Sequence, residues 1–243
     1  MLFDLRGSGR RRTVKIVYIT LAFLMGGGLI LFGIGGATSG GLFDAFTGSN
    51  SSKSSGTDAL QRSVTTAQQA TVTNPQDAEA WAALVKARFQ LAGTDNGVDA
   101  NGNFTTEGRR RLRPVEQAWT RYVALNPDPP DDTAAGYMVQ AFSPAGLDKP
   151  AEAVRALEMV IDARGDTADK SAQSNLYSQL AVYAYDAGQT RKGDLATDKA
   201  VSLAAPSDRK LLRQNLEQAK TQAASQATTT PVPAATSTTS TTG

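Results

Sequence analysis

The sequence of 243 residues contains no cysteine and no histidine. It therefore offers no thiol nucleophile, no disulfide, no zinc site of the usual Cys and His ligands and no histidine-based catalytic triad. An enzyme would have to rely on carboxylate, lysine, tyrosine or serine side chains. We therefore predict a protein that is not an enzyme and has no catalytic, cofactor-binding or metal-binding residues. The missing cysteines fit either side of a bacterial membrane and do not identify the compartment.

Basic and acidic residues nearly balance over the whole chain, but basic residues are in clear excess at the N-terminus. The whole chain has 25 basic and 23 acidic residues, whereas residues 1–15 hold five basic residues and one acidic residue. This local excess explains the positive balance of the chain. It does not indicate a nucleic-acid-binding protein, and we expect no nucleic-acid partner.

An apolar run without any charged residue occupies residues 16–34. At ~1.5 Å per residue, a helix of this length spans about 28 Å, close to the hydrocarbon thickness of a bilayer. Basic residues precede the run and none follows until Lys53, so the positive-inside rule places residues 1–15 in the cytoplasm. We predict a single-pass protein of the cell membrane with a transmembrane helix over residues 16–37. The alternative is a cleaved signal peptide, whose apolar region is usually shorter and ends at an A-x-A-like site.

Two segments are too polar or too rich in small residues to form a core. Residues 38–56 are rich in glycine and serine and predict a flexible linker outside the membrane. Residues 224–243 are rich in Thr, Ser, Pro and Ala and predict a disordered tail. The folded domain is therefore expected over residues 57–223.

Apolar residues within 57–223 recur at helical spacing, and Pro and Gly divide them into segments of helical length. An opening helix is predicted over residues 58–70 with three inward side chains, and a closing helix over residues 207–223 with Ser207 as its N-cap. The residues predicted to point inward are Leu60, Val64 and Ala67 in the first, and Leu211, Leu212 and Leu216 in the second.

A pattern of large, small and turn residues resembles the tetratricopeptide repeat. The best copy consists of Tyr177, Leu180, Ala181, Ala184, Gly193, Thr197, Ala200 and Pro206. A second contains Trp81, Leu84, Val85, Val115, Trp119, Tyr122 and Pro127, with extra residues between its two helices. A third contains Tyr137, Ala141, Ala153, Leu157 and Val160, its first helix being ended by Ser143-Pro144. The copies depart from the family pattern at Ala184 and Thr197, where larger residues are usual.

The resemblance implies an all-α fold: a solenoid of about three helical hairpins plus a capping helix, following the membrane helix. A generic helical bundle is the alternative. The layout is similar to bacterial single-pass envelope proteins that carry such repeats, including ancillary subunits of secretion translocons. It implies an extracytoplasmic scaffold for protein–protein interaction. The partner would be a protein or peptide in a groove lined by Lys86, Phe89, Met138, Phe142, Asn175, Ser178, Val182 and Tyr185.

The loop over residues 93–108 is rich in Asp, Asn and Gly, which invites a calcium-site interpretation. In the EF-hand register that puts Gly102 at position 6, positions 1 and 12 are both glycine and cannot supply ligands. Asn101-Gly102 between Val98 and Phe104 instead predicts a type I′ turn closing a short hairpin.

Two further polar motifs have structural explanations. Ser207 and Lys210 match the S-x-x-K of acyl-enzymes, but the companion motifs are missing and Ser207 stands where an N-cap is needed. Asp131 and Asp132 are interpreted as solvated charges at a helix start.

A basic run precedes Pro114 and consists of Arg109, Arg110, Arg111 and Arg113. It is either a solvated helix entrance or a contact for an anionic lipid or wall polymer. The second interpretation gives the alternative function, an envelope factor that binds such a ligand or an enzyme of the envelope.

Overall fold

The computed structural model describes residues 53–164 and 168–229, apart from the side chains at the outer ends, 53–55 and 227–229. This part of the chain forms eight α-helices and no β-strand beyond one isolated bridge, which confirms the all-α prediction. The helices are α1 (Lys53–Thr73), α2 (Ala78–Ala92), α3 (Thr106–Ala124), α4 (Asp132–Phe142), α5 (Pro150–Arg164), α6 (Lys170–Asp186), α7 (Thr190–Leu203) and α8 (Arg209–Thr229).

Four helices begin at a side-chain cap. Asp77, Asp131 and Asp169 accept backbone N–H hydrogen bonds at the starts of α2, α4 and α6, and Thr105 does so at the start of α3. Each of these caps satisfies a donor that the helix cannot satisfy itself, and is worth about 1 kcal/mol. The short polar residues of the sequence therefore fix where the helices start.

Helices that follow one another in the sequence pack as hairpins. Helix α2 packs against both α1 and α3, α4 packs against α5, and α6 packs against α7. Contacts between hairpins run from α2 to α4 and from α6 to α8, while α5 also contacts α6. These contacts join the hairpins into one array.

One hydrophobic core extends through the array from Val64 in α1 to Ala223 in α8. Alanine supplies much of it, and small side chains allow helices to approach closely. Aromatic pairs fill the wider spaces. The rings of Phe89 and Tyr137 stack at 4.6 Å between α2 and α4, and those of Trp119 and Tyr122 lie 5.1 Å apart within α3.

The loop between α2 and α3 contains the predicted short hairpin, with a different turn. Val98 and Phe104 form an antiparallel bridge. The N–H of Gly102 donates to the carbonyl of Asp99 at 3.0 Å, the N–H of Asp99 donates to Asn103, and Gly102 has a φ of +83°. Asn101 is not among the residues of positive φ, so the type I′ prediction was wrong. A three-residue turn with glycine in the left-handed position closes the loop instead.

The folded part extends past both predicted boundaries. Helix α1 begins at Lys53, inside the predicted linker, and α8 continues to Thr229, inside the predicted tail. At the α8 end the extra residues include two alanines and a glutamine, which sustain a helix without apolar bulk.

Helix α8 differs from its prediction in two details. Leu216 is buried and Leu212 partly so, but Leu211 is 62% exposed, so its predicted inward position was wrong. The helix begins at Arg209, and the carbonyl of Asp208 accepts the N–H of Leu212. The Ser207 hydroxyl donates to the Asp208 carboxylate instead of capping the helix.

Within the described ranges, no helix has both the length and the apolar character needed to cross a membrane. The predicted transmembrane helix over residues 16–37 lies outside the residues that the structure describes.

Candidate functional site

A groove of about 590 Å³ lies between α1 and α3, with α2 as its floor. Its walls combine amide, hydroxyl and guanidinium groups with a few apolar side chains. The lining residues are Gln68, Thr71 and Val72 from α1, Trp81, Leu84 and Arg88 from α2, and Gln117, Ala118, Thr120 and Arg121 from α3.

Helical periodicity places these residues together. Trp81, Leu84 and Arg88 lie three and four positions apart, so they share one face of α2. The same spacing aligns Gln117 with Thr120 and Arg121 on α3. Because α2 packs against both α1 and α3, its shared face becomes the bottom of a channel between them.

Arg88 is the half-buried cation of the groove. Its guanidinium donates to the backbone carbonyl of Pro114 at 3.0 Å and to the side-chain oxygen of Gln68 at 3.3 Å. Neither acceptor carries a charge, and Arg88 has no carboxylate partner within the described ranges. Desolvation lowers the pKa of Arg88 from its ordinary value, which is the expected effect of burying a cation without a counter-charge.

Arg121 adds a second guanidinium at the surface of the groove. It is exposed and has no ion pair in the described part of the chain. No Asp or Glu is present among the lining residues. The groove therefore carries positive charge only.

Apolar side chains break up this polar lining. Trp81 donates its indole N–H to the carbonyl of Pro75 at 2.9 Å, which fixes the ring at one end of the floor. Leu84 is buried, whereas Val72 is 75% exposed at the edge. The groove can therefore accept an apolar side chain as well as an anionic group.

The eight residues predicted to line a peptide groove lie elsewhere, and most are inaccessible. Lys86, Asn175 and Val182 are partly exposed. The other five are buried: Phe89, Met138, Phe142 and Tyr185 in the hydrophobic core, and Ser178 as a buried polar residue.

Several of these side chains already have partners within the domain. The ammonium of Lys86 contacts the Asp131 carboxylate at 2.6 Å. The hydroxyl of Ser178 donates to the carbonyl of Ser174, and the hydroxyl of Tyr185 donates to Asp194 at 3.0 Å. The contacts of Lys86 and Tyr185 join neighbouring helices, whereas that of Ser178 lies within α6, and together they leave few polar groups free for a ligand.

The predicted basic run lies in the first half of α3, where Glu107 pairs with two of its four arginines. Arg110 and Arg111 form ion pairs with Glu107 at 2.9 and 3.0 Å, and Arg111 also donates to the carbonyl of Thr94. Arg109 and Arg113 are exposed and have no ion pair in the ranges that the structure describes. Both belong to a row of every fourth residue on α3 that continues through Gln117 to Arg121.

The remaining polar motifs have structural roles. The Asp99 carboxylate accepts the backbone N–H groups of Asn101 and Asn103, and these hydrogen bonds lower its pKa. No group of three or more acidic side chains that could hold a metal ion occurs among the described residues. Asp131 and Asp132 stand at a helix start as predicted, and both are paired, with Lys86 and Arg164 respectively.

The groove was not predicted from the sequence, because residues 58–70 were interpreted only as an opening helix with three inward side chains. A signal was available: Arg88 and Arg121 both fall on the helix faces that carry Trp81 and Ala118, with no acidic residue at helical spacing to pair with them. Their proximity depends on how α3 packs against α2, which spacing alone does not give.

Comparison with protein-family models, with curated proteins and with solved structures finds no match for the chain.

Proposed function

We propose that the chain is a membrane-anchored scaffold that presents a tetratricopeptide-like helical array outside the membrane and binds a protein or peptide partner. The observation that carries the proposal is the open groove between α1 and α3. Such a groove suits recognition of a peptide segment.

The pairing of α6 and α7 supports the tetratricopeptide-like part of the proposal. The small residues of the best copy, Ala181, Ala184, Gly193 and Ala200, are all buried where these helices meet. Contacts of α2 with α4, and of α6 with α8, match the stacking expected when the first helices of successive repeats adjoin, while between these pairs α6 packs mainly against α5.

The location outside the membrane is supported by the sequence of the first 37 residues. The uncharged run at 16–34 is long enough to span a bilayer, and the basic cluster stands on one side of it. Such an anchor would hold the helical array close to the membrane surface.

A pull-down tests the binding function. The full chain and an anchor-only version ending at Gly56 are purified in detergent from crosslinked membranes, and the bound proteins are identified. We expect at least one protein to be retained by the full chain and lost from the anchor-only version. Recovery of the same proteins by both would argue against a scaffold.

The exposed guanidinium groups of Arg109 and Arg113 favour a second candidate, binding to an anionic lipid or wall polymer. Replacing both by glutamine would then abolish sedimentation of the detergent-purified full chain with purified wall polymer, an assay in which the predicted membrane anchor does not itself supply binding. Unchanged sedimentation after this replacement would exclude the second candidate.

A further inference from the structure

We propose that the groove between α1 and α3 binds an acidic peptide segment of the partner, whose carboxylates pair with Arg88 and Arg121. The inference rests on the proposed scaffold function and adds the place and the chemistry of recognition.

The surroundings of Arg88 favour binding of an anion. A partly buried guanidinium loses hydration, and a neutral carbonyl and a neutral amide oxygen replace only part of it. A guanidinium has five N–H donors, of which these two hydrogen bonds use two. A carboxylate entering the groove would accept from the remaining donors in a paired geometry, which is the strongest arrangement open to arginine.

The groove as a whole selects by charge. Arg121 lies on the opposite wall from α1, and no carboxylate of the lining competes for either guanidinium. The row on α3 leads from Arg121 towards Arg113 and Arg109, so the positive charge continues beyond the end of the groove. A chain with several acidic residues can follow this path.

The other lining groups fit a peptide better than a lipid headgroup. Gln68 and Gln117 offer amide donors and acceptors of the kind that pair with a peptide backbone. Trp81 and the exposed Val72 offer apolar contact for a side chain between two acidic residues. A headgroup would use the charges but leave these apolar and amide groups without a partner.

An unbiased peptide selection tests the proposal. A random library of peptides of about twelve residues is selected on the detergent-purified full chain, and a parallel selection uses the double variant R88Q/R121Q. We expect Asp and Glu, together with an apolar residue, to be enriched on the wild-type chain and not on the variant. Peptides without acidic enrichment, or the same peptides from both selections, would overturn the proposal.

Affinity measurements on the selected peptide give the size of the effect. We expect binding of the selected peptide to be about two- to fivefold weaker for R121Q, because a single exposed ion pair contributes up to about 1 kcal/mol. Arg121 is exposed, so this variant tests the proposal even if loss of Arg88 impairs folding. The matched control R191Q/K170Q removes two exposed charges elsewhere and should leave affinity unchanged. An equal loss of affinity in the control variant would show that binding depends on net charge alone. This result would contradict specific binding in the groove.

Charge reversal distinguishes a loss of peptide recognition from damage to the fold. R121E should bind the selected peptide more weakly, and should bind a version with lysine in place of its acidic residues more tightly than the wild-type chain does. A short-chain phosphatidylglycerol, offered as a free ligand to the detergent-purified chain, forms the second arm, because vesicles would bind the predicted anchor. If this lipid binds in an Arg88- and Arg121-dependent way while no acidic peptide is selected, the groove is a lipid site and the peptide proposal fails.

The outcomes also distinguish this inference from the function on which it rests. If the full chain captures a partner but no acidic peptide is selected, the scaffold function stands and the proposal of an acidic peptide in the groove fails. Capture that does not exceed the anchor-only control would overturn the scaffold itself.

Discussion

Gly193 in α7 lies against the ring of Tyr185 in α6. A Cβ atom at position 193 would be 2.3 Å from Cε1 of Tyr185, far inside ordinary contact distance. The ring cannot simply rotate away, because its hydroxyl is hydrogen-bonded to Asp194 and to Thr197. The glycine is therefore required by the close approach of α6 and α7.

Replacing Gly193 by alanine should accordingly destabilise the domain by about 1–3 kcal/mol, the usual cost of overpacking a core. Thermal unfolding of the purified chain measures the effect. The control is Gly56→Ala, where the added Cβ meets nothing within 4 Å in an exposed turn of α1. That change should be neutral or stabilising by about 0.5–1 kcal/mol. A G193A protein as stable as the wild type would contradict the described packing.

Phe89 tests whether the eight predicted groove residues bind a ligand or hold the fold together. It is 8% exposed and stacks on Tyr137, with Phe104 meeting it edge-on at 5.8 Å. Phe89→Ala should lower the free energy of unfolding by about 3–5 kcal/mol. Val182→Ala, at a partly exposed position of the same predicted set, should cost much less. A stable F89A protein that has lost partner binding would restore the original interpretation.

The contact between Asp194 and Lys220 should make stability depend on pH. The hydrogen bond from Lys220, and next that from Tyr185, lower the pKa of Asp194. A lowered carboxyl pKa stabilises the folded state above the unfolded pKa, about 3.9, and the effect is lost as pH falls through the folded pKa. Asp194→Asn should therefore be less stable than wild type at neutral pH, with the difference shrinking in acid.

Unfolding curves at several pH values check this expectation. The matched control is Asp198→Asn, since Asp198 also contacts a basic residue of α8 but its side chain is 70% exposed in that pair. The effect of D198N on stability at neutral pH should be smaller than that of D194N, because exposed ion pairs contribute little. A difference between wild type and D194N that grows in acid would have the wrong sign for this explanation.

The missing cysteines make the membrane orientation easy to test, since any introduced cysteine is the only thiol. In spheroplasts, a membrane-impermeant maleimide should label Ser63→Cys, an exposed position of α1, without lysis. It should label Ser8→Cys only after lysis. The opposite pattern would show that the predicted orientation is reversed, and release of the labelled Ser63→Cys chain from the membrane would favour a cleaved signal.

The sequence predicted the features that depend on local spacing. Helical periodicity located the helices, Ser143-Pro144 marked the end of α4, and the pattern around Asn101-Gly102 located the short hairpin. Each of these is decided by residues a few positions apart, where backbone sterics and capping dominate.

The features it missed depend on which helix face meets which neighbour. Leu211 was expected inward, yet α8 turns Leu212 and Leu216 towards the core. Phe89 and Met138 were expected to be open because of their repeat positions, yet packing between hairpins buries them. The groove arises from three helices together, so Arg88 and Arg121 mark two of its helices in the sequence but do not indicate that these helices adjoin one groove.

Site-specific crosslinking in cells tests the central claim most directly, that a partner binds in the groove between α1 and α3. A photoreactive residue is placed at Thr120 in the groove, and at Leu195, a 64% exposed position of α7, as the control. We predict one protein adduct that forms from Thr120 and not from Leu195, and whose yield falls when Arg121 is also replaced by glutamine. An adduct that forms equally from both positions, or that does not depend on Arg121, would contradict the account.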